Sequence, residues 1–204
     1  MAFSDFKNIA QVISKYPLQL RRDRFLPDTQ LELPSWFLAN MNFALDRQGT
    51  YESEQFFRES FIYPFLQLAW QRHLRLQLWI NQSITADQVL FGEPDYLISI
   101  WPEGVVDQLV NRPLLAVMEA KRQDFEAGWA QCLAAMLAAQ QINAAVSTII
   151  YGIVTTGISW EFGQLDGAQF IRDPRSYAIT TPEVVFGLLD FIFTQCEQQL
   201  LQVN

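Results

Sequence analysis

The chain has 204 residues, of which 50% are hydrophobic and 18% are charged. This length and composition allow one domain with a sizeable core, and they exclude an intrinsically disordered protein. The formal net charge of -8 repels polyanions at long range, so any nucleic acid would bind weakly and with strong salt dependence.

The N-terminal part of the chain predicts two helices. Ser4 can cap a helix over 4–16, which Pro17 ends, because apolar residues recur there at helical spacing. A second helix is predicted over 34–45, and Gly49 breaks it.

The segment between these helices, 18–34, is irregular or strand-like and holds a basic cluster of Arg21, Arg22 and Arg24. Such a cluster could contact phosphate. Because Asp23 interrupts it, a solvated surface is the more common explanation.

A longer helix is predicted over 52–70. Pro64 should kink it, because proline lacks the N–H that a helix interior needs and crowds the preceding turn. Glu54 lies on this helix. Glu59, five residues further on, lies on a different face and is a competing candidate for the same role.

Three short strands are predicted next. Apolar and polar residues alternate over 74–80, and two apolar segments, 93–100 and 113–121, are bounded by Gly and Pro. Each of the two apolar segments carries an acidic residue, which is unfavourable in a buried strand. These acids are Asp95 and Glu119.

The rest of the chain alternates helices with strands. Ala, Leu, Met and Gln predict a helix over 128–145, with Gln131 in its first turn. Strands are predicted over 147–155, 158–165 and 168–172, and a last helix opens at Pro182 and runs to about Leu201.

This order of elements predicts an α/β fold of three layers, with a mixed central sheet between helices. The helix over 128–145 would join the Glu119 strand to the strand over 147–155 by a right-handed parallel crossover. With no repeat and no linker, residues 1–204 are interpreted as a single domain. Its core covers about 50–155, with N-terminal helical and C-terminal strand and helix additions.

Glu119 and Lys121 stand two residues apart in a strand, so their side chains point to the same face while Ala120 points to the other. If Asp95 lies alongside, two carboxylates and one ammonium meet at one end of the sheet. Such a set of groups can form a divalent-cation site beside a positive charge. A Glu-x-Lys pair alone is more often an ion pair at a strand end.

These residues resemble the PD-(D/E)XK nuclease superfamily, with Pro94-Asp95 as the first half of the motif and Glu119-Ala120-Lys121 as the second. The wider pattern is most similar to the nuclease domain of type I restriction enzyme motor subunits. In that domain a helical acid precedes an Ile-x-Pro-x-Leu…Trp run, and a helical Gln follows the Glu-x-Lys strand. The matching residues are Glu54, Ile62, Pro64, Leu66, Trp70 and Gln131, so the resemblance covers roughly the middle half of the chain.

The resemblance implies a restriction-endonuclease-like core and hydrolysis of phosphodiester bonds, with DNA as the expected substrate and Mg²⁺ or Mn²⁺ as the cofactor. Asp95, Glu119, the backbone carbonyl of Ala120 and Glu54 would hold the metal ion. The resemblance also gives Lys121 and Gln131 catalytic roles. Lys121 would orient the attacking water and stabilise negative charge, and Gln131 would hold the water or a phosphate oxygen.

A second hypothesis is that the same fold is a catalytically silent module that binds a protein partner or forms a homodimer. The acidic charge favours this hypothesis. So does one departure from the family pattern, since Ala135 and Met136 stand where related helices place a Tyr after the Gln.

Other common types of active site lack the residues that they require. The single histidine, His73, is predicted to lie at the surface, and it cannot build a zinc cluster or a Ser-His-Asp triad by itself. Cys132 and Cys196 fall within predicted helices without metal-ligand spacing, which favours a reduced, cytoplasmic compartment. No signal peptide and no membrane partner are predicted, because no charged start precedes an apolar run and no apolar segment could span a bilayer.

Overall fold

The computed structural model describes residues 2–47, 49, 53–101, 110–144 and 148–202. Its helices are α1 Ile9–Ile13, α2 Ser35–Arg47, α3 Glu54–Phe57, α4 Tyr63–Trp70, α5 Phe125–Asn143 and α6 Pro182–Gln202. Its strands are β1 Gln19–Arg22, β2 Leu76–Ile80, β3 Ile84–Thr85, β4 Phe91–Gly92, β5 Tyr96–Ile100, β6 Leu114–Ala120, β7 Ile150–Thr155, β8 Ser159–Asp166, β9 Gln169–Arg172 and β10 Tyr177–Ala178. A 3-10 turn spans Phe3–Asp5, and a π-helical turn, Arg58–Ile62, lies between α3 and α4.

A large mixed sheet forms the centre of the fold. Among the described residues its strands follow the order β1-β9-β8-β7-β6-β5-β2, and β10 pairs with β8. β6 and β7 are parallel and are joined through α5, whereas β5 and β6 are antiparallel. The predicted mixed sheet and the parallel pairing across the Ala-rich helix are therefore confirmed. β1, β8 and β9 lie outside the predicted core over 50–155, yet they extend the same sheet.

Helices cover both faces of this sheet, because each face carries its own apolar cluster. α5 and the N-terminal residues pack on one face, in a cluster that includes Phe6, Trp129 and Leu165. α2, α4 and α6 pack on the other face, where Phe65 and Phe193 belong to the second cluster. The α/β arrangement of a mixed sheet between helices is thus observed, and a restriction-endonuclease-like core stays a prediction.

The Ala-rich helix α5 begins earlier than predicted. The side chain of Asp124 accepts a hydrogen bond from the N–H of Ala127 at 2.9 Å and caps the helix, so Phe125 is already helical. Gln131 therefore lies in the second turn rather than the first. Small residues let α5 approach the sheet closely, and most of its length is buried.

The first predicted helix, over 4–16, is wrong in its extent. The side chain of Asn8 accepts a hydrogen bond from the N–H of Gln11 at 3.0 Å, so Asn8 rather than Ser4 caps the short helix α1. Asn competes locally for backbone hydrogen bonds and favours such caps over helix interiors. The residues before it form only the 3-10 turn.

The predicted helix over 52–70 is interrupted, although residue 52 itself lies outside the described residues. α3 begins after Ser53, whose side chain accepts a hydrogen bond from the N–H of Phe56 at 3.1 Å. The chain then passes through the π-helical turn before α4, and Pro64 sits in the first turn of α4, where a missing N–H costs little. The expected proline kink is therefore replaced by a π-helical turn.

His73 is buried, so its predicted surface position is wrong. Only 6% of the residue is exposed. Its ring nitrogens lie 3.2 Å from Asp190 and 3.1 Å from Glu197, both on α6. The packing of α6 over this region, distant in the sequence, accounts for the difference.

The alternation predicted over 74–80 holds only in its centre. Leu76 and Leu78 are buried, whereas Leu74 and Ile80 are 80% and 49% exposed. Leu74 precedes β2 and Ile80 is its last residue, so both reach past the part of the sheet that helices cover. An alternating sequence predicts which face of the sheet each side chain points to. It does not predict where the helices that cover this face end.

The paired strands β3 and β4 have no counterpart in the sequence-based prediction, and they matter because they form a wall of the site described below. The sequence predicts that residues 105–113 lead the chain back to the strand over 113–121, and part of this segment lies outside the described residues. Within the described parts of the chain, no helix combines the length and apolar character needed to cross a membrane.

Candidate active site

Asp95 is held at the end of the sheet by two different elements. Its Oδ2 accepts a hydrogen bond from the N–H of Ala120 at 2.7 Å, which ties it to the end of β6. Its Oδ1 lies 3.0 Å from Nη1 of Arg58 in the π-helical turn. With both oxygens engaged, the carboxylate has a fixed position just before β5.

Glu119 lies on β6 with 4% of its surface exposed. The pKa of its carboxyl is raised to about 8, chiefly by burial, because a charged carboxylate is poorly solvated there. The negative charge of Asp95 and a hydrogen bond to Asp95 contribute to this rise in pKa, while Lys121 acts in the opposite direction. The carboxyls of Asp95 and Glu119 are therefore direct neighbours, although they stand on different strands.

Lys121 follows β6 and keeps the strand's direction, since its N–H donates to the carbonyl of Thr155 at 2.9 Å. Its Nζ lies 3.5 Å from Oε2 of Glu119. The side chain is 22% exposed, so the ammonium is partly shielded rather than free in bulk water. Glu119 and Lys121 thus share one face, as their spacing in a strand predicts.

Gly128 allows α5 to come close to Lys121. A Cβ atom at this position would lie 2.7 Å from Cγ1 of Val154 and 3.0 Å from Cγ of Lys121. One helical turn further along, Gln131 reaches the same space as the lysine. The close approach of the helix therefore brings its polar side chain to the end of β6.

One cavity of about 480 Å³ joins these groups, and Asp95, Glu119, Lys121 and Gln131 all contribute to its walls. Ser83, Thr85, Phe91 and Glu93 line the opposite side, on and around β3 and β4, together with residues Ala2, Phe3 and Ser4. The hydroxyl of Ser83 donates to Glu93 at 2.7 Å, so this acid has its own partner. The cavity is large enough to admit a phosphodiester and several waters.

Of the predicted metal ligands, Glu54 and Ala120 are not among the described residues that line the cavity. Glu54 lies in the first turn of α3, close enough to interact electrostatically with Arg58. Glu59, the competing acid, is exposed and accepts a hydrogen bond from the side-chain amide of Gln55. The expected role of Glu54 in holding a metal ion stays a prediction, with Glu59 as its alternative.

Arg58 is the residue of this site that sequence reasoning missed. Its Nη2 donates to the side-chain oxygen of Asn81 at 2.8 Å, and its guanidinium lies over the ring of Tyr96. Asn81 also donates its backbone N–H to the carbonyl of Asp95 at 3.0 Å. An arginine on a helix gives no local signal that it will reach an acid 37 residues later.

Among the described residues, no group of three or more His, Cys, Asp or Glu side chains is placed to hold a metal ion. The site brings together two carboxylates, one lysine and one glutamine amide, and the carbonyl of Ala120 lies on the same strand end. Such a set can bind a hard cation through the two carboxylates if water completes the coordination.

A scan of the sequence against protein-family models gives no match, and a search of curated proteins gives none either. The function is therefore inferred from the residues of the site.

Proposed function

We propose that this chain is a divalent-metal-dependent nuclease that hydrolyses phosphodiester bonds, with DNA as the first substrate to test. The observation that carries the proposal is the meeting of Asp95, Glu119 and Lys121 at one cavity. A buried acid beside a second acid is costly for stability unless a cation binds there. An acid in a cleft whose pKa is strongly perturbed, as that of Glu119 is, also marks a candidate functional site.

The donor set suits Mg²⁺ or Mn²⁺. Both ions favour oxygen ligands, and Mg²⁺ commonly uses one or two carboxylates and keeps several waters. Asp95, Glu119 and the carbonyl of Ala120 would hold the ion, and Glu119 would release its proton as the ion binds. When bound, the ion would supply Lewis-acid stabilisation of negative charge on the phosphate.

Lys121 and Gln131 act directly on the substrate in this proposal. The ammonium of Lys121 sits in a partly water-excluded cavity, where a fixed positive charge stabilises a developing anion more than it would in water. The amide of Gln131 can donate to a phosphate oxygen and accept from a water molecule. Arg58 and Asn81 hold Asp95 in place and are positioning residues.

The net charge of -8 does not prevent this function, but it limits affinity. Protonated Glu119 and the Arg58–Asp95 ion pair reduce the negative charge of the site itself. Binding of the substrate is therefore expected to depend strongly on ionic strength.

Replacing Lys121 with alanine is expected to lower the rate of cleavage by about 10²-fold, because one preorganised charge is lost from the cavity. The measurement is the initial rate of cleavage of plasmid DNA, single-stranded DNA and single-stranded RNA with Mg²⁺ or Mn²⁺. Arg122→Ala, a change at the exposed neighbouring residue, is the matched control and should retain the wild-type rate. Equal rates for the wild type and Lys121→Ala would point to a contaminating enzyme and refute the proposal.

A second candidate function is a catalytically silent module that forms a homodimer. An apolar cavity of about 320 Å³ adjoins β2 and is lined by Trp70, Gln71, Leu74, Leu76 and Trp101. β2 ends the strand order among the described residues, so a second copy could pair with it across a twofold axis. A dimer mass in light scattering, together with no metal binding by calorimetry, would favour this function over the first.

A further inference from the structure

A second polar cavity, of about 620 Å³, opens on the α5 face of the sheet, away from the candidate active site. Arg22 on β1 and Arg172 on β9 line it, together with Glu126 in the first turn of α5. Asn8, Ile9 and Ala10, at the start of α1, and Phe125 form the rest of its described wall. Two guanidinium groups therefore face one space in a chain that is acidic overall.

The two arginines are brought together by strand register. Arg22 and Arg172 are direct partners in the parallel pair β1 and β9, so their side chains point to the same face. Burial lowers the pKa of Arg172, and the nearby positive charge of Arg22 lowers it further. Like charges directly opposite each other on paired strands are destabilising, and an anion bound between them would offset this cost.

Arg172 is held rigidly, whereas Arg22 is exposed. Nη2 of Arg172 donates to Oε2 of Glu161 at 2.6 Å, and its guanidinium stacks over the ring of Trp129 at 4.7 Å. Nε1 of Trp129 donates to the same Glu161 oxygen at 2.6 Å. Among the described residues Arg22 has no ion pair, whereas the flanking Arg21 and Arg24 pair with Asp23 and Asp28.

The position of this pair relates it to the active site. Glu119, Val154 and Glu161 are register partners across β6, β7 and β8, and Arg172 pairs with Gly163, two residues after Glu161, so Glu119 and Arg172 face the same side of the sheet. With strands about 4.8 Å apart, β9 and β1 lie roughly 14 and 19 Å from β6. At the rise of about 3.4 Å per nucleotide that a strand has in duplex DNA, this span corresponds to roughly four to six nucleotides.

We infer that the cavity between Arg22 and Arg172 binds a backbone phosphate of a nucleic-acid strand whose scissile bond lies at Asp95 and Glu119. This inference rests on the proposed nuclease function and adds to it the path of the substrate across the sheet. Arg172, oriented by Glu161 and Trp129, presents a fixed guanidinium, and Arg22 closes on the phosphate from the sheet edge. Glu126 opposes the ligand, which keeps the affinity modest.

The test is fluorescence anisotropy of labelled single-stranded oligonucleotides, with Ca²⁺ in place of Mg²⁺. Arg22→Gln should weaken binding of a long oligonucleotide about fivefold and reduce the slope of log affinity against log salt by about 0.7. Arg21→Gln is the matched control, because it removes the same charge from the same strand on the opposite face, and it should bind as the wild type does. Glu126→Gln should strengthen binding about twofold, since a like charge is removed.

The length of the oligonucleotide separates this inference from general electrostatics. A trinucleotide held at the active site is too short to reach Arg22, so wild type and Arg22→Gln should bind it equally. Equal binding of the long oligonucleotide by Arg22→Gln and Arg21→Gln would overturn the inference, as would an equal loss for both lengths. The proposed function is tested separately by hydrolysis of bis(4-nitrophenyl) phosphate, a small diester, by the wild type and Asp95→Asn.

Discussion

Replacing Asp95 with asparagine is expected to reduce metal-dependent cleavage by about 10³-fold. A ligand that neutralises charge in the transition state contributes several kcal/mol, and each 1.36 kcal/mol is tenfold in rate. The amide oxygen can still accept the hydrogen bond from the N–H of Ala120, so the shape of the site is kept while its charge is lost.

The measurement compares initial rates for the wild type, Asp95→Asn and Glu93→Gln at saturating Mg²⁺. Glu93 lines the same cavity but its carboxylate is engaged by the hydroxyl of Ser83, so Glu93→Gln removes the same charge without touching the Asp95–Glu119 pair. We expect this control to retain most of its activity. A similar loss in both variants would mean that the general charge of the cavity, rather than Asp95, supports cleavage.

Replacing Glu119 with glutamine is expected to abolish cleavage and to stabilise the metal-free chain above pH 8. The pKa of Glu119 rises from 4.5 to about 8 in the folded chain. Between these values the folded chain keeps a proton that the unfolded chain has released, so stability falls as pH rises. Above about 8 the folded chain carries a buried charge beside Asp95, and the full penalty is present.

Glutamine avoids this penalty because it is neutral at every pH and resembles the protonated acid in shape. The full shift corresponds to about 5 kcal/mol, and we expect a gain of about 3 kcal/mol because relaxation and water penetration lower the cost of a buried charge. Urea unfolding with a chelator, near pH 4.5 and above pH 8, measures the gain. It should be small at the lower pH and large at the higher one. A gain that does not change with pH would show that Glu119 is not a buried, proton-holding acid.

Glu119→Gln is thus expected to raise stability and to abolish activity. A chain that keeps Glu119 at a site where Gln would be more stable accepts a less stable fold, as functional sites commonly do. A purely structural role does not require a carboxylate there. The loss of stability that Glu119 causes in the metal-free chain therefore favours a role in which its charged carboxylate binds a ligand.

Sequence reasoning places Glu119 and Lys121 correctly because the two-residue period of a strand is local. The contact between Asp95 and Glu119 is not local. It depends on the antiparallel register that pairs Tyr96 with Met118, and only the folded sheet fixes that register. The resemblance to the nuclease superfamily supplied this pairing as a hypothesis, since composition and periodicity alone could not.

Sequence periodicity is less informative about the surroundings of the helical acids. A regular helix over 52–70 would fix the direction of Glu54, but the π-helical turn Arg58–Ile62 changes the geometry of the segment, and Arg58 meets Asp95. A π-helical turn leaves little trace in the order of residues. His73 has the same difficulty, because its burial depends on α6, which folds over it from the far end of the chain.

The most direct measurement is X-ray diffraction from crystals soaked in Mn²⁺, with the ion located by its anomalous signal. The proposed site requires one ion that contacts carboxylate oxygens of both Asp95 and Glu119, with Lys121 beside it. We predict one such peak in the wild type and its loss in Asp95→Asn. An ion bound elsewhere, or no ion in the wild type under conditions that saturate calorimetric binding, would contradict the proposed active site.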